Sequence, residues 1–216
     1  MNTLAEENYL KAIYKLSLQS QNVSTNQIAA ELSTKASSVT DMLRKLADKE
    51  LIHYARYQGV SLTSAGQKIA LTIIRKHRLW EYFLVEKLNF KWDEVHEMAE
   101  EMEHISSTEL INRLDEFMGH PTRDPHGDPI PDCNGNFKTN DLKPISTIPV
   151  HSGGIISGVR DHSSAFLQYL EKQKLTIGKK IIVKEIITYD NTVVLHMDNK
   201  DLHISRDVAN NLLIAL

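Results

Sequence analysis

Residues His96 to Ser106 read HEMAEEMEHIS: two histidines and four glutamates in eleven positions, with no lysine or arginine among them. A surface helix ordinarily interleaves both signs of charge. At 3.6 residues per turn, His96, Glu100, Glu103 and His104 fall on one face, spaced i, i+4, i+7, i+8. Val95, Met98, Met102 and Ile105 take the opposite, apolar face, with Glu97 and Glu101 at the border. Glu100 and Glu103 repel as like-charged neighbours, at a cost of roughly 0.2–0.5 kcal/mol. A divalent cation removes that cost. Carboxylate oxygen and imidazole nitrogen are the donors such ions take. A solvated acidic helix is the ordinary reading of a charge run; histidines set among the acids on one face weaken that reading and leave a metal site as the alternative. A zincin protease motif also begins H-E, but it needs a second histidine at i+4, where Glu100 stands.

Two further groups could join that chemistry. Thr63-Ser64-Ala65-Gly66 opens a long helix to about Leu88, on which His77 and Glu81 lie one turn apart. They share a stripe with Ala70, Ile73, Ile74 and Leu84, which is otherwise apolar. A histidine on such a face is more often a satisfied core residue. A glutamate one turn later, with an acidic helix just downstream, shifts the reading toward a metal site. Residues 119–146 then hold five of the six prolines and several glycines, aspartates and asparagines, as a linker with turns does. Asp124 and His126 in it are candidate ligands; the alternative is plain solvated loop residues.

The elements that must position these groups follow from charge and periodicity. Residues 1–78 carry eleven Lys and Arg against six Asp and Glu, net +5. Residues 79–118 carry three against eleven, net −8, and residues 119–216 carry eleven of each. A basic segment beside an acidic one suggests a polyanion for the first and a cation for the second. Tyr9, Leu10, Ile13 and Leu16 mark a first helix over Leu4 to Leu18. Ser24 or Thr25 can cap a short helix through Leu32, and Ser33-Thr34-Lys35 turns into another from Ala36 or Ser37 to about Lys49. Val39, Met42, Leu43 and Leu46 face inward on it, which makes the pair a helix-turn-helix. Its outer face presents Lys35, Ser37, Ser38, Thr40, Asp41, Arg44 and Lys45. Small hydroxyls there approach base edges, and Arg44 and Lys45 reach phosphates. LIHYARYQGVSLT alternates about Gln58-Gly59 as a two-stranded wing, with Arg56 and Tyr57 at its tip for DNA backbone or minor groove. A structural three-helix unit that binds nothing is the alternative. Ser107 to Met118 forms one more amphipathic helix with Leu110, Ile111, Leu114 and Phe117 as its stripe. After a helix near Ser163 to Gln173, IIVKEIITY and NTVVLHM read as strands of a small β-barrel.

The bulk numbers allow this. The chain has 216 residues, 41% hydrophobic and 25% charged, and can form one to three small domains. No apolar run reaches about 18 residues, so no membrane partner is expected. The acidic, amphipathic start MNTLAEENYLKAIYKL is not a signal peptide, and the single Cys133 cannot form an internal disulfide; both fit a cytoplasmic location.

Taken together, ENYLKAIYKL, SSVTDMLRKL, LTSAGQ with RKHRLWEYFL, VHEMAEEMEHISS and PHGDPIP resemble the diphtheria-toxin-repressor family of metal-dependent bacterial transcriptional repressors, over nearly all 216 residues. The resemblance is to its long, three-domain, manganese-responsive-like branch. It implies a mainly α fold with small β parts: a winged helix-turn-helix over 1–63, a helical dimerisation and metal-binding domain over 64–119, a proline-rich linker over 120–146, and an SH3-like barrel of the ferrous-transport-A type over 147–216. It implies a primary metal site of Asn8, Glu100, Glu103 and His104, and an ancillary site of His77, Glu81 and His96. Long manganese-responsive members add a loop acid or thiol, a loop histidine and a barrel acid to the second site; Asp124, His126 and Asp161 match those positions. The iron-responsive branch has Cys where Glu100 stands and Met where Asn8 stands. The manganese-responsive branch has the Glu, with Asp usual at position 8, and its smallest members have Glu where Lys11 stands. With no sulfur ligand, Mn(II) is the expected ion, Fe(II) the second candidate, and Zn(II), Co(II) and Ni(II) substitutes in vitro. The expected partners are a double-stranded operator and a second copy of the chain, with no small-molecule substrate. The expected function is repression of metal-uptake genes, not catalysis. A metal-dependent hydrolase and a regulator sensing an organic ligand through its C-terminal domain are the rival readings.

Overall fold

The computed structural model describes residues 2–20, 22–55, 59–138 and 141–216. The chain forms two compact units: Met1–His77 with Met102–Glu109 and Pro131–Asn136, and Arg78–Glu101 with Leu110–Ile130 and Phe137–Leu216.

In the first unit, α1 (Leu4–Ser17) starts with a capping box: Thr3 Oγ1 accepts from the Glu6 N–H, and the Glu6 carboxylate accepts from the Thr3 N–H. Helix α2 (Thr25–Glu31) repeats the device with Ser24 and Gln27. The tight turn after it puts Ser33 at φ 48° and leads into α3 (Ala36–Asp48). Strands β1 (Ile52–Ala55) and β2 (Gly59–Leu62) pair antiparallel, with Ile52 opposite Leu62, as the wing. Leu10, Ile13, Ile28, Val39, Leu43 and Leu46 meet in one apolar core with no exposed surface. Helix α4 (Ser64–Leu88) begins flush against the wing, since a Cβ on Gly66 would lie 2.0 Å from the Leu51 carbonyl oxygen.

The acidic stretch departs from expectation. Helix α5 (His96–Met102) stops one turn short of Ser106 and leaves Glu103 and His104 in a turn. Long-range partners hold that turn: Lys11 and His77 take Glu103, and the Lys76 ammonium donates to the Ile105 carbonyl at 2.8 Å. Helix α6 (Thr108–Phe117) buries Ile111 and Leu114 but leaves Leu110 and Phe117 exposed.

In the second unit, β3 (Lys143–Pro144), β4 (Gly153–Val159), β5 (Lys180–Ile186), β6 (Val193–Met197), β7 (Lys200–Ile204) and β8 (Leu212–Ala215) form one antiparallel sheet in the order β3-β8-β4-β5-β6-β7. Register shifts at Ile156/Gly158 and Val183/Glu185 are bulges that bend the strands, giving the small SH3-like barrel. Helices α7 (Ser164–Lys172) and α8 (Arg206–Asn211) complete its core. Trp92 inserts into that core, which fastens the start of the acidic segment to the barrel. No helix among the described residues is long and apolar enough to cross a membrane.

Candidate metal centre and nucleic-acid interface

Two clusters of ligand-type side chains form, one in each unit. In the second unit, Glu81, Asp124 and His126 are all buried, and one donor atom from each lies within 4.8 Å of the other two. Helix α4 supplies Glu81. Asp124 and His126 come from the proline-rich segment, which is not a solvated linker here. Asp124 Oδ1 accepts from the N–H groups of His126 and Asp128, both at 2.9 Å. Gly127 follows at φ 91°, where a Cβ would sit 2.2 Å from the Ser157 carbonyl oxygen. Only glycine lets the loop press onto β4, where the His126 carbonyl accepts from the Val159 N–H at 2.9 Å.

The His126 ring is oriented for ligation. Nε2 faces the Trp92 carbonyl oxygen at 2.8 Å, and a carbonyl only accepts, so Nε2 carries the hydrogen. Nδ1 then points at Glu81 Oε2, 3.5 Å away, without a well-formed hydrogen bond. His162 stacks on the ring at 4.9 Å between centroids. A second imidazole, His96, brings Nδ1 to 3.3 Å from Glu81 Oε1 and Nε2 to 3.5 Å from Glu100 Oε1. Burial pushes the Asp124 carboxyl up to about 7, helped by the Asp128 and Glu81 charges against the pull of Arg78 and His126. Burial works to lower His126, but the Glu81 bond and charge, the Asp124 charge and the Trp92 carbonyl raise it to about 9. Two buried acids beside a buried imidazole make a set of oxygen and nitrogen donors that a divalent cation would fit. The residues fit such an ion. Arg78 meets the set from outside, with Nη2 2.9 Å from Asp128 and Nε 3.6 Å from Asp124. Asp161 lies apart from the donor set, with Oδ1 accepting from the Ser163 N–H at 2.8 Å.

In the first unit, Glu103 is the centre. Its side chain is 1% exposed. Lys11 Nζ donates to its two oxygens at 2.9 and 2.6 Å, and His77 Nδ1 lies 2.6 Å from Oε2. Burial would raise the carboxyl; the His77 bond and the Lys11 charge outweigh it and hold Glu103 below the ordinary range. His104 Nδ1 is 2.8 Å from Glu7 Oε2, and its Nε2 is 3.8 Å from Glu103 Oε1. Asn8, expected beside His104, is exposed, and its neighbour Glu7 makes the contact. Alternation along a helix explains the exchange: adjacent residues point about 100° apart, and sequence spacing alone does not fix which of Glu7 and Asn8 turns inward. His77 stands one turn before Glu81 on α4, as expected of that pair.

The face expected to meet nucleic acid is that of α3. Lys35, Ser37, Ser38, Asp41, Arg44 and Lys45 are exposed and Thr40 is half-buried. Helix α3 starts at Lys35 with no side-chain cap hydrogen bond. Arg44 pairs with Asp41 at 3.2 Å, an exposed contact that little holds against a phosphate. The Thr40 hydroxyl donates to the Ala36 carbonyl. Lys45 is partly committed: with Lys49 it pairs with Glu6 on α1 at 3.1 and 2.7 Å. Burial works to raise Glu6; Lys49, the Thr3 N–H and Lys45 outweigh it and lower Glu6 to about 2. Arg56 and Tyr57 lie outside the described residues.

Sequence spacing alone did not single out Glu6, Lys11, Arg78 or His162. Lys11, between apolar Leu10 and Ala12, was the one with a visible signal.

Three family models match in series. They are described as "Iron dependent repressor, N-terminal DNA binding domain" (residues 1–60), "Iron dependent repressor, metal binding and dimerisation domain" (63–132) and "FeoA domain" (143–216). The iron-dependent repressor IdeR of Mycobacterium leprae is 33% identical over 133 residues, 61% of this chain and 58% of that protein, so the match spans under two thirds of that relative's length. A solved manganese-dependent transcriptional repressor in complex with manganese is 30% identical, covers 97% of this chain and 99% of its own, and superposes with a TM-score of 0.86. The solved manganese regulator SloR is 32% identical with a TM-score of 0.74, covering 97% of each chain.

Proposed function

This chain belongs to the diphtheria-toxin-repressor family of metal-dependent transcriptional repressors, and we propose that it senses a divalent metal and, when loaded, binds a palindromic operator as a homodimer to repress metal-uptake genes. It is a regulator, not an enzyme. The observation that carries the reading is the buried donor set of Glu81, Asp124 and His126, a place for a cation and for little else. Around it we assign His96 as a further ligand of the same site, with His77 and Asp161 entering by resemblance. Glu103 and His104 form the other site. Glu7 joins them because it holds His104, Glu100 enters by resemblance, and the exposed Asn8 stays outside the set. When bound, the metal supplies a positive charge that several acids share. The residues hold it, and His126 gives it Nδ1 because Trp92 engages Nε2.

The donors are oxygen and nitrogen, and the single Cys133 is exposed. That set suits Mn(II) ahead of Fe(II). Solved relatives described as manganese regulators and curated relatives described as iron-dependent keep both ions in the test. On the dimer, Leu88, Phe90, Leu110 and Phe117 are exposed apolar side chains within residues 79–118, a face for a second copy to cover. Two recognition helices then lie about 34 Å apart, one turn of DNA. Tighter metal binding in the DNA-competent geometry shifts the population toward it. Work on DNA fits a cytoplasmic location.

The test strips metal with EDTA, then titrates Mn(II), Fe(II), Zn(II) and Co(II) while following operator binding by anisotropy. Binding should need metal and saturate at the lowest concentration with Mn(II). Equal binding in EDTA, or phosphodiesterase or peptidase turnover with metal, overturns the reading.

A further inference from the structure

Glu103 is engaged from within the chain. Lys11 reaches it from α1, 92 residues away in sequence, with an ammonium across both carboxylate oxygens at 2.6 and 2.9 Å. The lysine side chain is only 7% exposed, and its Nζ is also 3.4 Å from His77 Nδ1. A buried lysine ordinarily either snorkels its charge to water or sheds it. Here the lysine nitrogen lies against the residue that the metal reading makes a ligand. Hydrogen bonds with an ionised partner on each side are among the strong ones.

A metal ion on Glu103 needs the lone pairs that Lys11 now holds. It also brings a second positive charge beside the ammonium, in a site with little water to screen the two. We propose that Lys11 is a built-in competitor for divalent metal: its ammonium must leave Glu103 before the ion can bind there, so Lys11 sets the metal concentration at which the chain responds. Resting on the metal-sensing reading, the inference adds a threshold to it. The lysine is to Glu103 what a tethered monovalent cation would be, present at a fixed high effective concentration. Its displacement frees α1, because Lys11 is the helix's charged anchor on Glu103. Uptake of metal is thereby tied to a change in how the first helix is held.

The test compares wild type, Lys11→Met and Lys11→Arg, all stripped with EDTA, by Mn(II) titration with free ion read by EPR. Lys11→Met removes the competitor and leaves a buried carboxylate in need of a cation. Its Mn(II) affinity should rise by about 10- to 100-fold, the worth of a charge-assisted hydrogen bond. Its metal-free form should also unfold at lower urea. Lys11→Arg keeps a cation and should stay within a few-fold of wild type. A second measurement uses wild type alone: acetylation of Lys11, read by peptide mass spectrometry, should speed up when Mn(II) is added. Lys11→Met binding no tighter, or weaker, overturns the inference and makes Lys11 a support for the ligands instead. Lys11 staying protected at saturating Mn(II) overturns it as well, whether or not Lys11→Met folds. A wild type that takes up no Mn(II), Zn(II) or Co(II) removes the metal reading itself and this inference with it.

Discussion

Glu7→Gln probes which residue of the first helix serves the metal. His104 turns Nδ1 to Glu7 Oε2 at 2.8 Å and Nε2 toward Glu103 Oε1 at 3.8 Å. Glu7 therefore accepts the Nδ1 hydrogen and leaves the Nε2 lone pair on the Glu103 side. That is the carboxylate–histidine arrangement that orients a metal-binding imidazole, and losing such a carboxylate costs about 10- to 100-fold in metal affinity. Glutamine keeps the length and an accepting carbonyl but removes the charge. The two side chains are 20% and 13% exposed, so water screens part of the effect. The lower end applies: about tenfold weaker Mn(II) binding, or ~1.4 kcal/mol. Asn8→Ala, at an exposed position, should shift the midpoint by no more than about twofold, in the range of ordinary surface substitutions. The assay is Mn(II) titration of the EDTA-stripped variants by EPR, alongside the Mn(II) midpoint of operator binding. A neutral Glu7→Gln together with a tenfold loss in Asn8→Ala would refute the reasoning and return Asn8 to the ligand set.

Arg44→Ala should weaken binding to all DNA sequences and reduce the salt slope by about one per recognition helix, since its partner is a phosphate; a changed base preference with an intact slope rejects that role. Glu6 has a folded pKa of about 2, below its ordinary 4.5, so its stabilisation is full above about pH 4.5 and is lost as pH falls toward 2. Urea midpoints measured from pH 6 to pH 3 should fall less steeply for Glu6→Gln than for wild type, and parallel curves would count against the Lys45–Lys49 account. Gly127→Ala forces a Cβ to within 2.2 Å of the Ser157 carbonyl oxygen and 2.3 Å of the Gly158 Cα at a positive φ. It should cost about 2–4 kcal/mol and weaken metal binding by moving His126, as thermal melts with and without Mn(II) will report; an unchanged melt would mean the loop does not bear on β4.

Much of the scaffold is local and was readable. Thr3 with Glu6 and Ser24 with Gln27 are capping boxes three residues apart, and the pairing that starts a helix lies within one turn. The apolar period of α3 and the alternation about Gly59 likewise depend on near neighbours, so the helix-turn-helix and its wing are visible in the string. His77 and Glu81 were legible for the same reason, because a helix puts i and i+4 on one face whatever surrounds it. The family resemblance supplied Asn8 and Asp161, which no local spacing would have selected.

What the string left open was settled by contacts between distant residues. Asp124 and His126 read as candidate ligands, with solvated loop the more ordinary reading. The structure buries both, beneath the Trp92 carbonyl and the Val159 N–H, and burial is a property of what packs on top. The acidic helix carries no breaker before Ser106, yet it ends at Met102, and Lys11, His77 and Lys76 hold the turn that follows. Glu7 and Asn8 are adjacent, and which one faces His104 depends on how α1 is rotated against its core. Local periodicity thus determined which elements form and which faces are polar. Only the fold decided which of those polar groups lost their water, and a carboxylate or imidazole becomes a candidate ligand when desolvation leaves it in need of a cation.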